Sequence, residues 1–140
     1  MKNAFKIPIQ VRFRDIDLMG HVNNAVFFSY FEMARTAFHL PHVSKTLDRD
    51  SSSFILAHAG CDYIKPIVLG TDLVLHMGTA NFGTKSFQFV YSLTDAADES
   101  VVYAKGVSVQ VCYDYTQNAS IEIPPEFRSV LLRIQCEDQT

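Results

Sequence analysis

Phe5, Ile7, Ile9, Val11 and Phe13 alternate with Lys6, Gln10, Arg12 and Arg14, a period of two that predicts a strand with one buried face. The alternation breaks at the loop Asp15 to Gly20. From Asn23 to about Leu40 the spacing lengthens, and Ser29, Glu32, Arg35, Thr36 and His39 fall on one stripe of a helical wheel. The rest of that segment is apolar: Val26, Phe27, Phe28, Tyr30, Phe31, Met33, Ala34, Ala37 and Phe38 cover more than one core-facing stripe. A helix of that kind is expected to be central, with protein on most of its sides. Pro41 is expected to stop it, and His42 to Ser53, wholly polar from Asp48 on, reads as an irregular connection with a single helical turn.

Four alternating segments follow, near Phe54 to Lys65, Asp72 to Ala80, Lys85 to Thr94 and Val101 to Tyr113, and they predict an antiparallel sheet with one face on the core. Turn chemistry separates them: Pro66 with Gly70, Asn81 with Gly83, and Asp95 to Glu99. Pro124 and Pro125 open a short helix whose Phe127, Val130, Leu131 and Ile134 form an apolar stripe. The expected architecture is α+β, one curved antiparallel β-sheet wrapped around a long central α-helix, in a single domain spanning residues 1–140.

Composition narrows the function. About half the chain is apolar, with 11 Phe and 6 Tyr, so a sizeable core is available and disorder is excluded. The formal charge is only -3 and Lys and Arg are scattered, which gives nucleic acid no electrostatic footing. No apolar run approaches the roughly 20 residues of a membrane span and no signal core is visible, so neither export nor a membrane partner is expected. Cys61, Cys112 and Cys136 are odd in number and lack metal-ligand spacing; they read as reduced thiols in the cytoplasm, the first and second as buried fillers of strands.

Chemistry concentrates where the loop enters the long helix. Asp15, Asp17, Gly20, His21, Asn23 and Asn24 lie within ten residues. Asn23 or Asn24 suits the N-cap, and the unpaired amides of a first helical turn are a ready site for negative charge. A thioester carbonyl oxygen aimed at those amides would have its developing oxyanion stabilised, while a carboxylate in the same loop attacked the carbonyl or activated water. The same residues also fit a plainer reading, in which the Asp is a cap and the Asn pair a turn. Asp15 and Asp17 with a lone His lack the repeating oxygens of a calcium loop, so no metal is expected.

The run Asp15-Ile-Asp17-Leu-Met-Gly20-His21-Val22-Asn23-Asn24, followed by Phe28, Tyr30, Phe31, Glu32, Ala34 and Arg35, closely resembles the hallmark of the 4-hydroxybenzoyl-CoA thioesterase-like group of hotdog proteins. The likeness continues through Ala57 to Pro66, Gly70-Thr-Asp72, Lys85-Ser86-Phe87 and Ile121 to Pro124. It implies the hotdog fold, assembly as a homo-oligomer (a dimer or a homotetramer), and hydrolysis of acyl-CoA or acyl-ACP thioesters at the subunit interface without a cofactor. The family's catalytic carboxylate maps onto Asp17, as nucleophile or general base, and Asp15 becomes structural. Backbone at Asn23 and Asn24 takes the oxyanion role, Gly20 and His21 shape the loop, and Phe28, Tyr30, Lys65, Lys85 and Ser86 are the substrate-binding candidates. Two departures stand out: the arginines some relatives place around the CoA phosphates are represented mainly by Lys85, and Gly60 occupies a second-strand position where many relatives carry an acid or amide.

Other features take bland readings. His39 and His42 are spaced H-x-x-H, but Pro41 intervenes and no third ligand is near; His58 and His76 alternate with apolar strand residues; Glu32 and Arg35 suit an ion pair on the helix surface. A hydratase of the same fold would place four residues between Asp and His, whereas Asp17 has three before His21 and Asp15 has five. A non-catalytic acyl-CoA-binding module would lack the carboxylate that Asp17 supplies. A purely structural assembly role is the remaining alternative.

Overall fold

The computed structural model describes residues 1–42 and 53–136. Six strands form one antiparallel sheet among these residues: β1 (Phe5–Gln10), β2 (Ser53–Tyr63), β3 (Asp72–Ala80), β4 (Ser86–Asp95), β5 (Val102–Asp114) and the short β6 (Ala119–Ser120). The spatial order is β1-β3-β4-β5-β2, with β6 paired to the end of β5. Among the same residues two α-helices accompany the sheet, α1 (Asn24–His42) between β1 and β2 and α2 (Pro125–Leu132) after β6. Most of the expected irregular stretch from His42 to Ser53 lies outside the described residues.

The alternation of β4 and β5 sets the core. Phe87, Phe89, Tyr91 and Leu93 of β4 and Ala104, Ser108, Gln110 and Cys112 of β5 are buried on the face that meets α1. Gly106 lies on that same face, and a Cβ there would meet the ring of Phe31 at 2.5 Å, so the helix rests directly on the β5 backbone. Rings fill the space beyond: Phe54 stacks on Phe127 of α2 at 5.6 Å, and Phe87 meets Phe89 edge-on at 5.1 Å. Such pairs each add roughly 0.5–1.5 kcal/mol beyond the area they bury.

β2 contains the irregularity that matters most for the site. Phe54 pairs with Cys112, but a bulge at Ala57 shifts the register between Leu56 and His58, so that Ala59, Cys61 and Tyr63 pair with Ser108, Gly106 and Ala104. Phe54 and Tyr63 are an odd number of residues apart and would face opposite sides of a regular strand; the extra residue brings both to the α1 side.

Three expectations are corrected. α1 buries one stripe, Phe27, Tyr30, Phe31, Ala34 and Phe38, while Met33 and Leu40 are exposed, so in the single chain it is an amphipathic helix and not an enclosed one. Pro41 lies within the last turn of α1 instead of ending it; at that position only one intrahelical bond is lost. Phe13 is 84% exposed, because the chain leaves β1 at Gln10 and enters a 3-10 turn, Phe13–Asp15, closed by Asp15 N–H on the Arg12 carbonyl at 2.9 Å. β6 was not visible in the alternation. It exists because Asp114 accepts N–H bonds from Thr116 and Gln117 and folds the chain back on β5.

Candidate active site

The loop between the 3-10 turn and α1 is held by its own acids. Asp15 turns inward: one carboxylate oxygen, Oδ2, accepts from the Tyr30 hydroxyl at 2.8 Å and from Arg12 N–H at 2.9 Å. Burial first, then the bond to Asp15 and its charge, push the Tyr30 phenol well above its ordinary value, so it remains a neutral donor. Asp15 is thereby committed to structure, as the resemblance implies.

Asp17 turns the other way. Its Oδ1 accepts from Met19 N–H at 2.9 Å and His21 N–H at 3.3 Å, while Oδ2 has no hydrogen bond among the described residues. The backbone closes the loop with Asp17 N–H on His21 O at 2.8 Å and Gly20 N–H on Asp17 O at 3.0 Å. Gly20 sits at φ +82° with nothing within 4 Å of a would-be Cβ, so glycine is needed for the left-handed backbone and not for space. His21 therefore grips Asp17 through its main chain; no hydrogen bond from its imidazole to Asp17 is present.

Asn23 is the N-cap of α1, its Oδ1 accepting Ala25 N–H at 2.9 Å, and its own N–H is taken by Asp15 O at 2.9 Å. Val26 N–H goes to the Asn23 carbonyl at 2.9 Å. Asn24 N–H is left without an acceptor among the described residues, at the positive end of the helix.

These groups open onto one pocket of about 290 Å³, lined by Asp17, Met19, His21, Val22, Asn24, Phe27, Tyr63, Ile64, Lys65 and Pro66. The segment leaving β2 forms its far wall and is tied to the loop by Val22 N–H on the Ile67 carbonyl at 2.8 Å. Tyr63 packs edge-on against Phe27 at 4.9 Å. A larger groove, about 630 Å³, lies across the sheet among Asp62, Glu99, Lys105, Val90 and Val107, and it contains no helix N-terminus. The smaller pocket is the one lined by both the loop carboxylate Asp17 and the first residue of α1.

Of the candidate residues, Asp17, His21, Asn24 and Lys65 share this pocket; Asn23 caps the helix and Gly20 turns the loop without lining it. Phe28, Tyr30, Lys85 and Ser86 do not line it. Lys85 ends the β3–β4 turn and Ser86 begins β4; in that turn Arg128 of α2 donates to the Gly83 carbonyl at 2.7 Å and lies over the Phe82 ring at 5.5 Å. The sequence reading missed Arg128, which is 45 residues from Gly83 and joins the turn only through the fold. Tyr63, Ile64 and Pro66 were missed as pocket walls for the same reason, whereas Phe27 comes from the aromatic face of α1 that was open to such a role. Gly60 borders the larger groove, with its Cβ direction toward His58 and Val107, so the missing acid or amide does not bear on Asp17 within one chain.

The bland residues resolve in part. Arg35 donates to the Tyr91 hydroxyl at 3.0 Å and makes no ion pair with Glu32, because its side chain runs under the sheet to a polar chain that continues from Tyr91 to Ser108 at 2.7 Å. His76 is buried and satisfied by Thr94 Oγ1 at 3.0 Å. Cys61 and Cys112 are free thiols, and burial pushes both up to about 11, which makes them poor nucleophiles at neutral pH. No trio of His, Cys, Asp or Glu is placed to hold a metal, and no helix is long and apolar enough to cross a membrane, among the described residues.

The chain belongs to the Thioesterase-like superfamily, whose family profile matches residues 11–131. Its relatives include a 1,4-dihydroxy-2-naphthoyl-CoA hydrolase of Nostoc punctiforme, 28% identical over 127 residues that make up 88% of this chain and 83% of that protein. Among solved structures, a Pseudomonas aeruginosa protein superposes with a TM-score of 0.86 at 25% identity, over 96% of this chain and 94% of its own. A thioesterase of Thermus thermophilus, crystallised with coenzyme A and Zn, matches with a TM-score of 0.80 at 29% identity, covering 96% and 97% of the two chains. The resemblance carried by Asp15 to Arg35 is thus that of a thioesterase with a hotdog-type antiparallel sheet.

Proposed function

We propose that the protein hydrolyses acyl-CoA thioesters to a free acid and a thiol, with Asp17 as the catalytic carboxylate. The observation that carries this reading is that one pocket is lined both by Asp17, whose Oδ2 has no hydrogen bond among the described residues, and by Asn24, whose N–H has no acceptor among them. A carbonyl between them would direct its oxygen to Asn24 N–H at the helix end. Asp17 Oδ2 would take a proton from water as the water oxygen attacks the carbonyl carbon, and the tetrahedral intermediate would collapse by expelling the thiolate. Direct attack by Asp17, giving an anhydride that water then opens, uses the same geometry. A thiolate leaves with little help from an acid, which suits a site whose only neighbouring cation among the described residues is Lys65.

Lys65 at the pocket, and Lys85, Ser86 and Arg128 at the β3–β4 turn, are the groups we assign to the CoA portion; Arg128 supplies a planar cation suited to phosphate. An acyl-carrier-protein thioester would engage the same centre. We place aromatic acyl groups first among the substrates, since Phe27 and Tyr63 wall the pocket and a relative is named for an aroyl-CoA. β2 is an edge strand with Leu56 exposed, which supports assembly as a homo-oligomer, a dimer or tetramer. The free thiols of Cys61 and Cys112 suit the reducing cytoplasm.

Release of thiol from a panel of aromatic, short-chain and long-chain acyl-CoAs tests the proposal. Turnover of at least one class supports it. Binding of acyl-CoA without any turnover would replace it by the binding-module reading.

A further inference from the structure

We infer that Tyr63 is a positioning residue for this reaction: its hydroxyl ties the first residue of α1 to the exit of β2 and so fixes the oxyanion donor relative to Asp17. The inference rests on the proposed hydrolase reading for its meaning, and on geometry for its substance.

Tyr63 is the last residue of β2, and the bulge at Ala57 turns it to the α1 side. Its hydroxyl donates to the main-chain carbonyl of Asn24 at 2.9 Å. Asn24 lines the pocket and its N–H has no acceptor among the described residues, so the bond grips the proposed donor residue itself. The ring is braced edge-on by Phe27, one helical turn further along the same helix end. Burial and the neighbouring Cys61 raise the phenol above its ordinary value, so the hydroxyl keeps its proton at any physiological pH.

Two ties join the β2 exit to the loop and helix. One is main chain, Val22 N–H to Ile67 O, and holds the Asp17 loop. The other is the Tyr63 hydroxyl, and holds the helix end. Asp17 and Asn24 belong to different segments, a loop closed by its own amides and a helix, and Asp15 joins the two through Asn23 N–H and the Tyr30 hydroxyl. None of those bonds takes a group of Asn24 itself; the Tyr63 hydroxyl does, from a strand exit that also holds the Asp17 loop. A first helical turn otherwise frays readily, with few bonds of its own. A displacement on the order of 1 Å at such a site can cost about a hundredfold in rate. A tyrosine that merely lined the pocket would affect substrate affinity; one that aligns the donor affects the transition state, where the oxyanion has formed.

Tyr63→Phe removes the tie and keeps the ring against Phe27. The experiment compares kcat and KM of wild type and Tyr63→Phe on the best acyl-CoA of the panel, together with backbone amide resonances of Ala25, Val26 and Phe27 in both proteins. The expected result is a kcat lower by about tenfold to a hundredfold, KM within about twofold, and displaced first-turn resonances. An unchanged kcat, or a change confined to KM, overturns the inference. If wild type turns over no thioester, the hydrolase reading fails separately, and the resonances decide the tie: unmoved first-turn amides in Tyr63→Phe overturn it, displaced ones uphold it.

Discussion

Replacing Asp15 by alanine separates the structural acid of the loop from Asp17, the acid to which we assign catalysis. Asp15 Oδ2 accepts two bonds, from Tyr30 O–H at 2.8 Å and Arg12 N–H at 2.9 Å. Hydrogen bonds to a charged group contribute about 1.5–3 kcal/mol each when buried, and Asp15 is half-buried, so the lower end applies. Tyr30 is 3% exposed, and its hydroxyl would be stranded in the core. Together these give a loss of roughly 3 kcal/mol for Asp15→Ala, which for a chain of this size lowers Tm by about 10 °C. Asp15→Asn should cost much less, about 1 kcal/mol, because a single amide oxygen can take the place of Oδ2 and accept both bonds. Urea unfolding of the two variants measures the difference. Equal losses for Ala and Asn, or an Asp15→Ala protein as stable as wild type, would refute the assignment of Asp15 to the Tyr30 bond.

Further outcomes follow from the packing and from His76. Gly106→Ala should destabilise by roughly 1–3 kcal/mol despite the better strand propensity of alanine, since its Cβ would lie 2.5 Å from Phe31 Cε2 under the helix that carries the site; a stabilised variant in chemical unfolding would contradict the close contact. His76 is held below its ordinary pKa, chiefly by burial, with the charge of Glu99 at 3.6 Å working the other way and Lys6, 3.4 Å from Glu99, lowering it again. The unfolded chain then binds a proton near pH 6.5 that the fold resists, so this group withdraws stability as pH falls below 6.5 and has no effect above it. Urea midpoints of wild type and His76→Gln at several pH values should converge as the pH drops from about 7 to about 5; parallel curves would contradict this.

Where burial has a simple period, the sequence carried the fold. Phe87, Phe89, Tyr91 and Leu93 alternate, and all four are buried; Phe127, Val130, Leu131 and Ile134 are likewise the buried stripe of α2 and its exit. The loop chemistry was legible because it is local: Asp15, Asp17, Gly20 and Asn23 act through bonds spanning a few residues. Tyr63 and Arg128 were not legible as site residues. Each reaches its place through a contact 39 or 45 residues away in the chain, and for Tyr63 only after a bulge that no alternation pattern reveals. Arg35 shows the converse error. Spacing on a helix proposes Glu32 as its partner, but Arg35 donates to a buried tyrosine hydroxyl instead; an ion pair with the solvent-exposed carboxylate would be screened and worth little. The wide apolar surface of α1 suggested enclosure, yet Met33 and Leu40 face outward in one chain, so periodicity alone overstated how much of the helix a single copy covers.

The most direct measurement is kcat for Asp17→Asn against wild type on the acyl-CoA that wild type hydrolyses fastest, with folding checked by thermal unfolding. The introduced amide keeps an oxygen for Met19 and His21 N–H, so the loop should hold its shape while the base or nucleophile is gone. The expected result is a fall in kcat of about 10²–10⁴-fold with Tm nearly unchanged. A folded Asp17→Asn protein that hydrolyses the thioester as fast as wild type would contradict the assignment of Asp17.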